Sequence, residues 1–184
     1  MLGRTLRSLI VDYLTAKQAG NEEKYVSDVL TKMQDEIKST NPEVKMGIVQ
    51  QVVYLNLVGY DTSWADFTVL EVMSMDDFSA KRIAYTAAGA MWHPETEAVL
   101  MATHRIQKDL TSVHPLISSI VLSSLTPYLT ISLSQHVMSD VVALMASNRA
   151  VVRQKAVITF YHICLKYPDA LRHGFAALKS RLDD

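Results

Sequence analysis

The sequence has little of what disulfide-linked, metal-binding or β-rich folds require. Its single cysteine, Cys164, excludes an intrachain disulfide and a four-cysteine zinc site, and a reducing compartment is expected. No Asn-Gly or Asp-Gly turn lies between alternating apolar runs, which argues against β-hairpins. The net charge of −1 lacks the basic excess of nucleic-acid-binding proteins, so nucleic acid is not expected as a partner. No apolar run reaches the roughly 18 residues that cross a bilayer.

Patterns of catalytic residues are also missing. No Gly-x-Ser-x-Gly elbow and no Gly-rich phosphate loop occurs. The six histidines share no metal-ligand spacing; they are His93, His104, His114, His136, His162 and His173. The acidic pair Asp76-Asp77 precedes Ser79, where carboxylates favour the start of a helix. The sequence therefore predicts a protein that is not an enzyme and has neither a cofactor nor a metal site.

What the sequence does contain is a repeat with a step of 36 residues. Four dipeptides keep that step: Val44-Lys45, Ala80-Lys81, Leu116-Ile117 and Val152-Arg153. Two further rows keep it as well: Ile48, Ala84, Ile120 and Ala156, and Val49, Tyr85, Val121 and Val157. Repetition over a few tens of residues is typical of solenoids made of stacked helix pairs, in which neighbouring pairs bury a continuous core.

A fourth row, Val29, Ala65, Met101 and Val137, predicts that the first helix of each pair repeats too. The Trp, Leu-Gly and Tyr pattern of tetratricopeptide repeats is missing. An apolar residue followed by Lys or Arg early in the second helix is HEAT-like, although Leu116-Ile117 breaks the basic row. The predicted fold is all-α: one HEAT/armadillo-like α-solenoid segment of antiparallel helix pairs over residues 1–184.

Caps and breakers divide the sequence into ten expected helices. Asn41-Pro42 and Gly59 are clear examples of a start and a stop. The expected ranges are about 5–17, 22–37, 43–58, 64–73, 79–92, 95–110, 115–125, 127–145, 149–166 and 168–182. No polar capping helix follows Arg181, so we expect the front section of a longer protein or a partner over this end.

Several segments resemble the large subunits of adaptor-protein coat complexes, the adaptin family. The resemblance is carried by residues 53–65, which include Gly59-Tyr60-Asp61, and by Lys81-Arg82-Ile83-Ala84-Tyr85 and Ile106-Gln107-Lys108-Asp109-Leu110. Residues 60–65, 71–74 and 166–172 favour the delta type of the third adaptor complex over the gamma, alpha and epsilon types. The resemblance covers nearly the whole chain and is weakest before Glu22.

The resemblance implies the N-terminal part of an adaptin trunk, which is an α-solenoid. It implies a heterotetramer with a beta-type large subunit, a medium subunit and a small sigma subunit, recruited by a GTP-loaded Arf-family GTPase. Such a complex would be cytoplasmic, peripheral on Golgi or endosomal membranes, and would sort cargo toward lysosomes or vacuoles. The alternative is another HEAT-repeat scaffold, such as a nuclear-transport receptor or a phosphatase regulatory subunit, which would lack the Gly-Tyr-Asp and Lys-Asp-Leu motifs.

The same resemblance implies site residues. Phe67, Leu70 and Met101 match apolar positions that touch the GTPase in gamma-type relatives; Met101 also lies in a repeat row and could instead be a core residue. Lys45 stands where the alpha type has the first of three phosphoinositide-binding lysines, and one charge does not replace three. Lys17 is the nearest substitute for an Arg that faces acidic residues of dileucine signals, as a point charge rather than a bidentate fork.

Overall fold

The computed structural model describes residues 5–181, and within them all regular structure is helical. The α-helices are α1 (Leu6–Gln18), α2 (Glu22–Glu36), α3 (Pro42–Val58), α4 (Asp66–Met73), α5 (Phe78–Met91), α6 (Glu97–Leu110), α7 (Pro115–Ser124), α8 (Ile131–Leu144), α9 (Ala150–Lys166) and α10 (Ala170–Lys179). Two 3-10 helices, Ser63–Ala65 and Thr126–Tyr128, precede α4 and α8.

Several helices begin or end at the capping residues that the sequence contains. The side chain of Asn41 accepts a hydrogen bond from the Glu43 N–H at 2.9 Å, so it satisfies an otherwise unpaired donor at the start of α3. Asp77 does the same for Ala80 at 2.8 Å at the start of α5, which confirms the capping role of this carboxylate. Gly59 ends α3 with a φ of 105°, a left-handed conformation that favours glycine.

The expected helix 127–145 was wrong at its start. Pro127 lies in the 3-10 helix, and α8 begins only at Ile131, where the Thr130 hydroxyl accepts from the Leu133 N–H at 2.9 Å. The 3-10 helix buries Tyr128 against the Trp92 ring, with centroids 5.5 Å apart. This tertiary contact outweighs the tendency of proline to open a longer helix. The last helix begins at 170 instead of 168, and its expected end at Leu182 lies outside the described residues.

The helices form two layers. The odd layer consists of α3, α5, α7 and α9, each packed against the next, and the even layer consists of α4, α6, α8 and α10 in the same succession. Each even helix except α10 also packs against the odd helix that follows it, as an antiparallel pair. The helices α1 and α2 pack against each other and against α3. This arrangement is the predicted α-solenoid.

The 36-residue step holds in the odd layer. The rows that begin at Val44 and Ile48 enter each odd helix at nearly the same point: Val44, Ala80 and Val152 are each the third residue of their helix. In the third row Val49, Tyr85 and Val121 are fully buried, and the last member, Val157, is half-buried and packs against the core. Equivalent positions in sequence are therefore equivalent positions in the stack.

The predicted row in the first helices is wrong. Ala65 lies in a 3-10 helix before α4, whereas Val29 and Val137 are buried within α2 and α8. Met101 lies on α6 with its side chain 62% exposed, so it is not a core residue. The connections before the even helices differ in length, which shifts their phase, whereas the odd helices pack directly on one another and keep theirs.

Small residues let the odd helices approach one another closely. On α5 the residues Ala84, Ala87 and Ala88 are fully buried, and a methyl group at Gly89 would lie 3.4 Å from the Cα of Ser124 on α7. Between α7 and α9, the Thr159 hydroxyl donates to the Leu122 carbonyl at 3.1 Å. The odd layer is thus tightly packed, and α5 carries mainly small side chains where it meets its neighbours.

Candidate interaction site

Two of the motifs quoted above meet in a buried polar network. Lys81 on α5 places its Nζ 2.9 Å from both carboxylate oxygens of Asp109 on α6, and both residues are buried. The Tyr85 hydroxyl, one turn along α5, donates to the same carboxylate at 2.8 Å. A buried ion pair persists only when further hydrogen bonds satisfy its charges, and here they do. The network ties the α4–α5 pair to the next pair.

Arg105 extends this network to the surface. Its Nε donates to Asp109 at 3.2 Å, and its Nη2 lies 3.2 Å from the exposed carboxylate of Asp76. Hydrogen bonding by Arg105 lowers the pKa of Asp76, and burial lowers the pKa of Lys81 and raises that of Tyr85. Every one of these groups is engaged in holding helices together, so the network acts as a structural clamp.

The basic repeat row is mostly used for packing, and this includes Lys45. The Lys45 ammonium lies 2.7 Å from the Glu71 carboxylate on α4, and little of its side chain is exposed. Arg153, two periods after Lys81, donates from Nη1 to the Ser147 carbonyl at 3.1 Å. In the structure, then, the charge of Lys45 is already paired within the solenoid.

Lys17 is exposed in the last turn of α1, with its Nζ 5.9 Å from the centroid of the Tyr13 ring. The structure does not bring Lys17 and Lys45 together. Tyr13 packs against Tyr54 in the second half of α3, whereas Lys45 lies in its first turn. At about 1.5 Å per residue, Lys45 lies about 13 Å along α3 from Tyr54, the residue that contacts the Lys17 end of α1 through Tyr13.

The three predicted GTPase-contact residues lie on adjacent even helices. Phe67 is 48% exposed near the start of α4, and Met101 is exposed in the second turn of α6. Leu70 is half-buried and packs against the main core, so it offers less free surface. Leu100, which sequence reasoning missed, is 75% exposed beside Met101. We call Phe67, Leu70, Leu100 and Met101 the α4–α6 apolar face.

Next to this face, Asp66 is the first residue of α4. Burial raises the pKa of the Asp66 carboxyl to about 6, and the neighbouring Trp92 and His93 partly offset that rise.

No cluster of three metal-ligating side chains occurs in the described part of the chain. None of the helices between residues 5 and 181 has the length and apolar character needed to cross a membrane.

Known proteins of one family are similar to this chain in sequence. The family model described as the adaptin N-terminal region matches residues 22–184. The AP-3 complex subunit delta-1 of Bos taurus is 35% identical over 184 residues, which are 100% of this chain and 15% of that protein. The AP-3 complex subunit delta of Dictyostelium discoideum is 33% identical over 100% of this chain and 16% of its own length. The chain thus spans about one-sixth of these relatives.

A structural relative agrees with the sequence relatives. A chain of a homology model of the full-length AP-3 complex in an intermediate open conformation superposes with a TM-score of 0.69 and is 32% identical. The superposition covers 78% of this chain and 26% of the other. The motifs quoted for the resemblance therefore identified the correct relatives, and the structure explains two of them, because Lys81 and Asp109 form the buried pair.

Proposed function

Because the chain belongs to the adaptin family, we propose that it is the N-terminal solenoid segment of the delta-type large subunit of an AP-3-type vesicle adaptor complex. The observation that carries this proposal is similarity to AP-3 delta subunits over the entire chain at 33–35% identity. The alternative HEAT scaffolds share the repeat alone, whereas this chain also matches the adaptin model over residues 22–184.

In this role the segment is a non-enzymatic scaffold. It holds the small sigma subunit within a heterotetramer that also contains a beta-type large subunit and a medium subunit. The complex associates peripherally with Golgi or endosomal membranes and sorts membrane cargo toward the lysosome or vacuole. Stacked helix pairs suit this task, since they offer long faces on which several partners can bind.

Affinity purification of the tagged protein from its own cells tests the assignment. We expect sigma, medium and beta-type adaptor subunits in stoichiometric amounts. Recovery of transport-receptor cargo or a phosphatase catalytic subunit instead would support one of the other HEAT scaffolds and refute the adaptor assignment. A matched strain that expresses the tag alone identifies background proteins.

We further propose that the α4–α6 apolar face binds a GTP-loaded Arf-family GTPase. Phe67, Leu100 and Met101 are large apolar side chains exposed on neighbouring parallel helices. Contiguous exposed apolar surface is typical of protein interfaces, and aromatic residues and methionine are enriched there. Leu70 packs against the main core and therefore contributes less directly.

A pull-down with the GTPase in its GTP-loaded and GDP-loaded forms tests this face. The double substitution Phe67→Ser and Met101→Ser should leave the circular dichroism spectrum unchanged and weaken GTP-dependent binding by at least about tenfold, as loss of central interface residues does. Phe175→Ser is the matched control, because Phe175 is at least as exposed as Phe67 but lies on α10. Undiminished binding by the double variant would exclude this site.

For the two lysines we propose unequal roles. Lys17 is exposed and available to an acidic cargo signal, so Lys17→Ala should weaken binding of an acidic dileucine peptide by about twofold, the effect of one exposed charge. Lys45 must leave Glu71 before it can contact a lipid phosphate, so it adds little to membrane association. Binding of phosphoinositide vesicles that falls sharply in Lys45→Ala would refute that ranking.

A further inference from the structure

The two layers of the solenoid differ sharply in charge. The odd layer has a single acidic residue, Glu43, whereas its basic residues are Lys45, Lys81, Arg82, Arg153, Lys155 and Lys166. The even layer is balanced; its acids are Asp66, Glu71, Glu97, Asp109 and Asp140, and its bases are Arg105, Lys108, Arg172 and Lys179. The overall charge of −1 conceals this separation.

Among the basic residues of the odd layer, Arg82 is exposed in the middle of the stack, whereas the other exposed one, Lys166, is the last residue of α9. Lys45 and Lys81 are paired with carboxylates, and the Lys155 ammonium donates to the Ser119 hydroxyl at 2.9 Å. The guanidinium of Arg82 is exposed and makes neither an ion pair nor a side-chain hydrogen bond with any residue from 5 to 181. Neither α5 nor α7 contains an acidic residue that could neutralise it.

Arg82 also borders a concave surface. A groove of about 310 Å³ lies between α1, α3 and α5, and it is lined by Gln50, Val53, Arg82, Ile83 and Thr86 together with Leu6. A second groove of about 410 Å³ lies between α5 and α7 and is lined by Thr86, Gly89, Ala90 and Ile120, among others. Thr86 belongs to both, so the grooves flank one ridge.

That ridge is low. Between the grooves α5 presents Thr86, Gly89 and Ala90, which have small side chains, and the large exposed side chain beside them is Arg82, since Ile83 is half-buried. An extended chain can therefore pass from one groove to the other over Thr86. Helix axes lie about 9 Å apart and a strand advances about 3.3 Å per residue, so crossing α3, α5 and α7 takes about six residues.

We propose that this surface, the Arg82 groove, binds an extended acidic peptide segment of a partner protein. Apolar walls from Val53, Ile83 and Ile120 accept small aliphatic side chains, and Gln50 and Thr86 can hydrogen-bond to a peptide backbone. Arg82 provides a bidentate contact for one carboxylate. The scarcity of acidic residues on the odd layer removes repulsion along the rest of the path.

A protein segment fits this surface better than a lipid bilayer does. Binding to anionic membranes usually requires a cluster of four to eight exposed Lys or Arg residues. Here the exposed guanidinium at the groove is that of Arg82, and the exposed Arg7 follows the lining residue Leu6 on α1, so the basic residues near these apolar walls are fewer than such a cluster needs. The proposal does not depend on the GTPase site, since Phe67 and Met101 are on the even layer.

The test measures fluorescence anisotropy of a labelled peptide of about eight residues in which Glu alternates with Ala and Leu, enough to cover the groove at about 3.3 Å per residue. The same peptide with Gln in place of Glu is the charge control. Arg82→Glu and Ala90→Trp probe the charge and the open ridge of the groove. Arg172→Glu, at an exposed arginine on α10, is the matched control variant.

We expect the full chain to prefer the Glu peptide to the Gln peptide. Arg82→Glu should weaken binding by about fivefold or more, as reversal of one interfacial charge does, and Ala90→Trp should weaken it without a change of charge. Arg172→Glu should have no effect. Circular dichroism confirms folding, which exposed substitutions should preserve.

Three results would overturn the proposal. The first is equal affinity for the Glu and Gln peptides, and the second is an equal loss of binding in Arg82→Glu and Arg172→Glu, which would indicate unspecific attraction to charge. The third is Arg82-dependent binding to phosphatidylcholine vesicles that contain phosphatidylserine together with no binding of the peptide. That outcome would make the surface a lipid contact.

Discussion

Replacement of either partner of the Lys81–Asp109 pair should reveal how unevenly the buried network depends on its members. The Asp109 carboxylate receives Lys81, Tyr85 and, through a 3.2 Å contact, Arg105. The Lys81 ammonium has no second carboxylate within the described residues, and its other acceptor is the Met73 carbonyl at 3.4 Å. The carboxylate can lose one partner and keep two, whereas the ammonium cannot.

The magnitudes follow from this asymmetry. Asp109→Leu leaves a buried ammonium and the Tyr85 hydroxyl without their acceptor, so it should reduce the free energy of unfolding by about 4–5 kcal/mol. Lys81→Met leaves the carboxylate with Tyr85 and Arg105 and should cost only about 2–3 kcal/mol. The double variant should be more stable than Asp109→Leu alone, because an apolar pair of similar volume removes the isolated charge.

Urea unfolding followed by circular dichroism measures these free energies. Lys45→Met is the matched control, because Lys45 occupies the same row 36 residues earlier and is paired with Glu71, whose side chain is 55% exposed. It should cost less than about 1 kcal/mol. Equal losses for Lys81→Met and Asp109→Leu, or a double variant less stable than both, would refute the reasoning.

Three further predictions concern stability. Gly174→Ala should destabilise the chain by about 2–3 kcal/mol, since its methyl group would overlap the buried Phe160 ring, whereas Gly47→Ala, with open space around it, should stabilise α3 by about 0.5–1 kcal/mol in the same denaturant assay. Thr130→Ala removes the cap of α8 and should lower the free energy of unfolding by about 1 kcal/mol. Because the native pKa of Asp66 is raised from 3.8 to about 6, the native state holds this proton more tightly, and stability should fall as pH rises from 4 through 6. After screening at this half-buried site, Asp66→Asn should recover roughly 1 kcal/mol at pH 7.5 and nothing at pH 4. Thermal unfolding at the two pH values checks that difference, and an equal effect at both would contradict it.

Sequence reasoning predicted the odd layer well because its signals are local or strictly periodic. Capping residues such as Asn41 and Asp77 define helix starts through hydrogen bonds within three residues. The 36-residue step survives in α3, α5, α7 and α9 because each packs against the next and a shift in phase would expose core residues such as Val49. A period in sequence therefore indicates a period in space.

The features that could not be predicted from the sequence depend on tertiary contacts. The start of α8 depends on Tyr128 reaching Trp92 on α5, a contact that sequence proximity does not reveal. Lys45 and Arg82 read alike as basic residues near helix starts, yet the first is paired with Glu71 and the second is free of ion pairs within residues 5–181. Only the pairing of helices separates a packing lysine from an available arginine. The exposed state of Met101 likewise depends on the phase of α6.

We propose that this solenoid is the part of an adaptor large subunit that holds a small sigma subunit. The most direct measurement is the native mass of the chain after co-expression with a sigma-type adaptor subunit. We expect a one-to-one complex heavier than the 20.6 kDa of this chain alone. A folded chain that stays at its own mass with the sigma subunit in excess would contradict it.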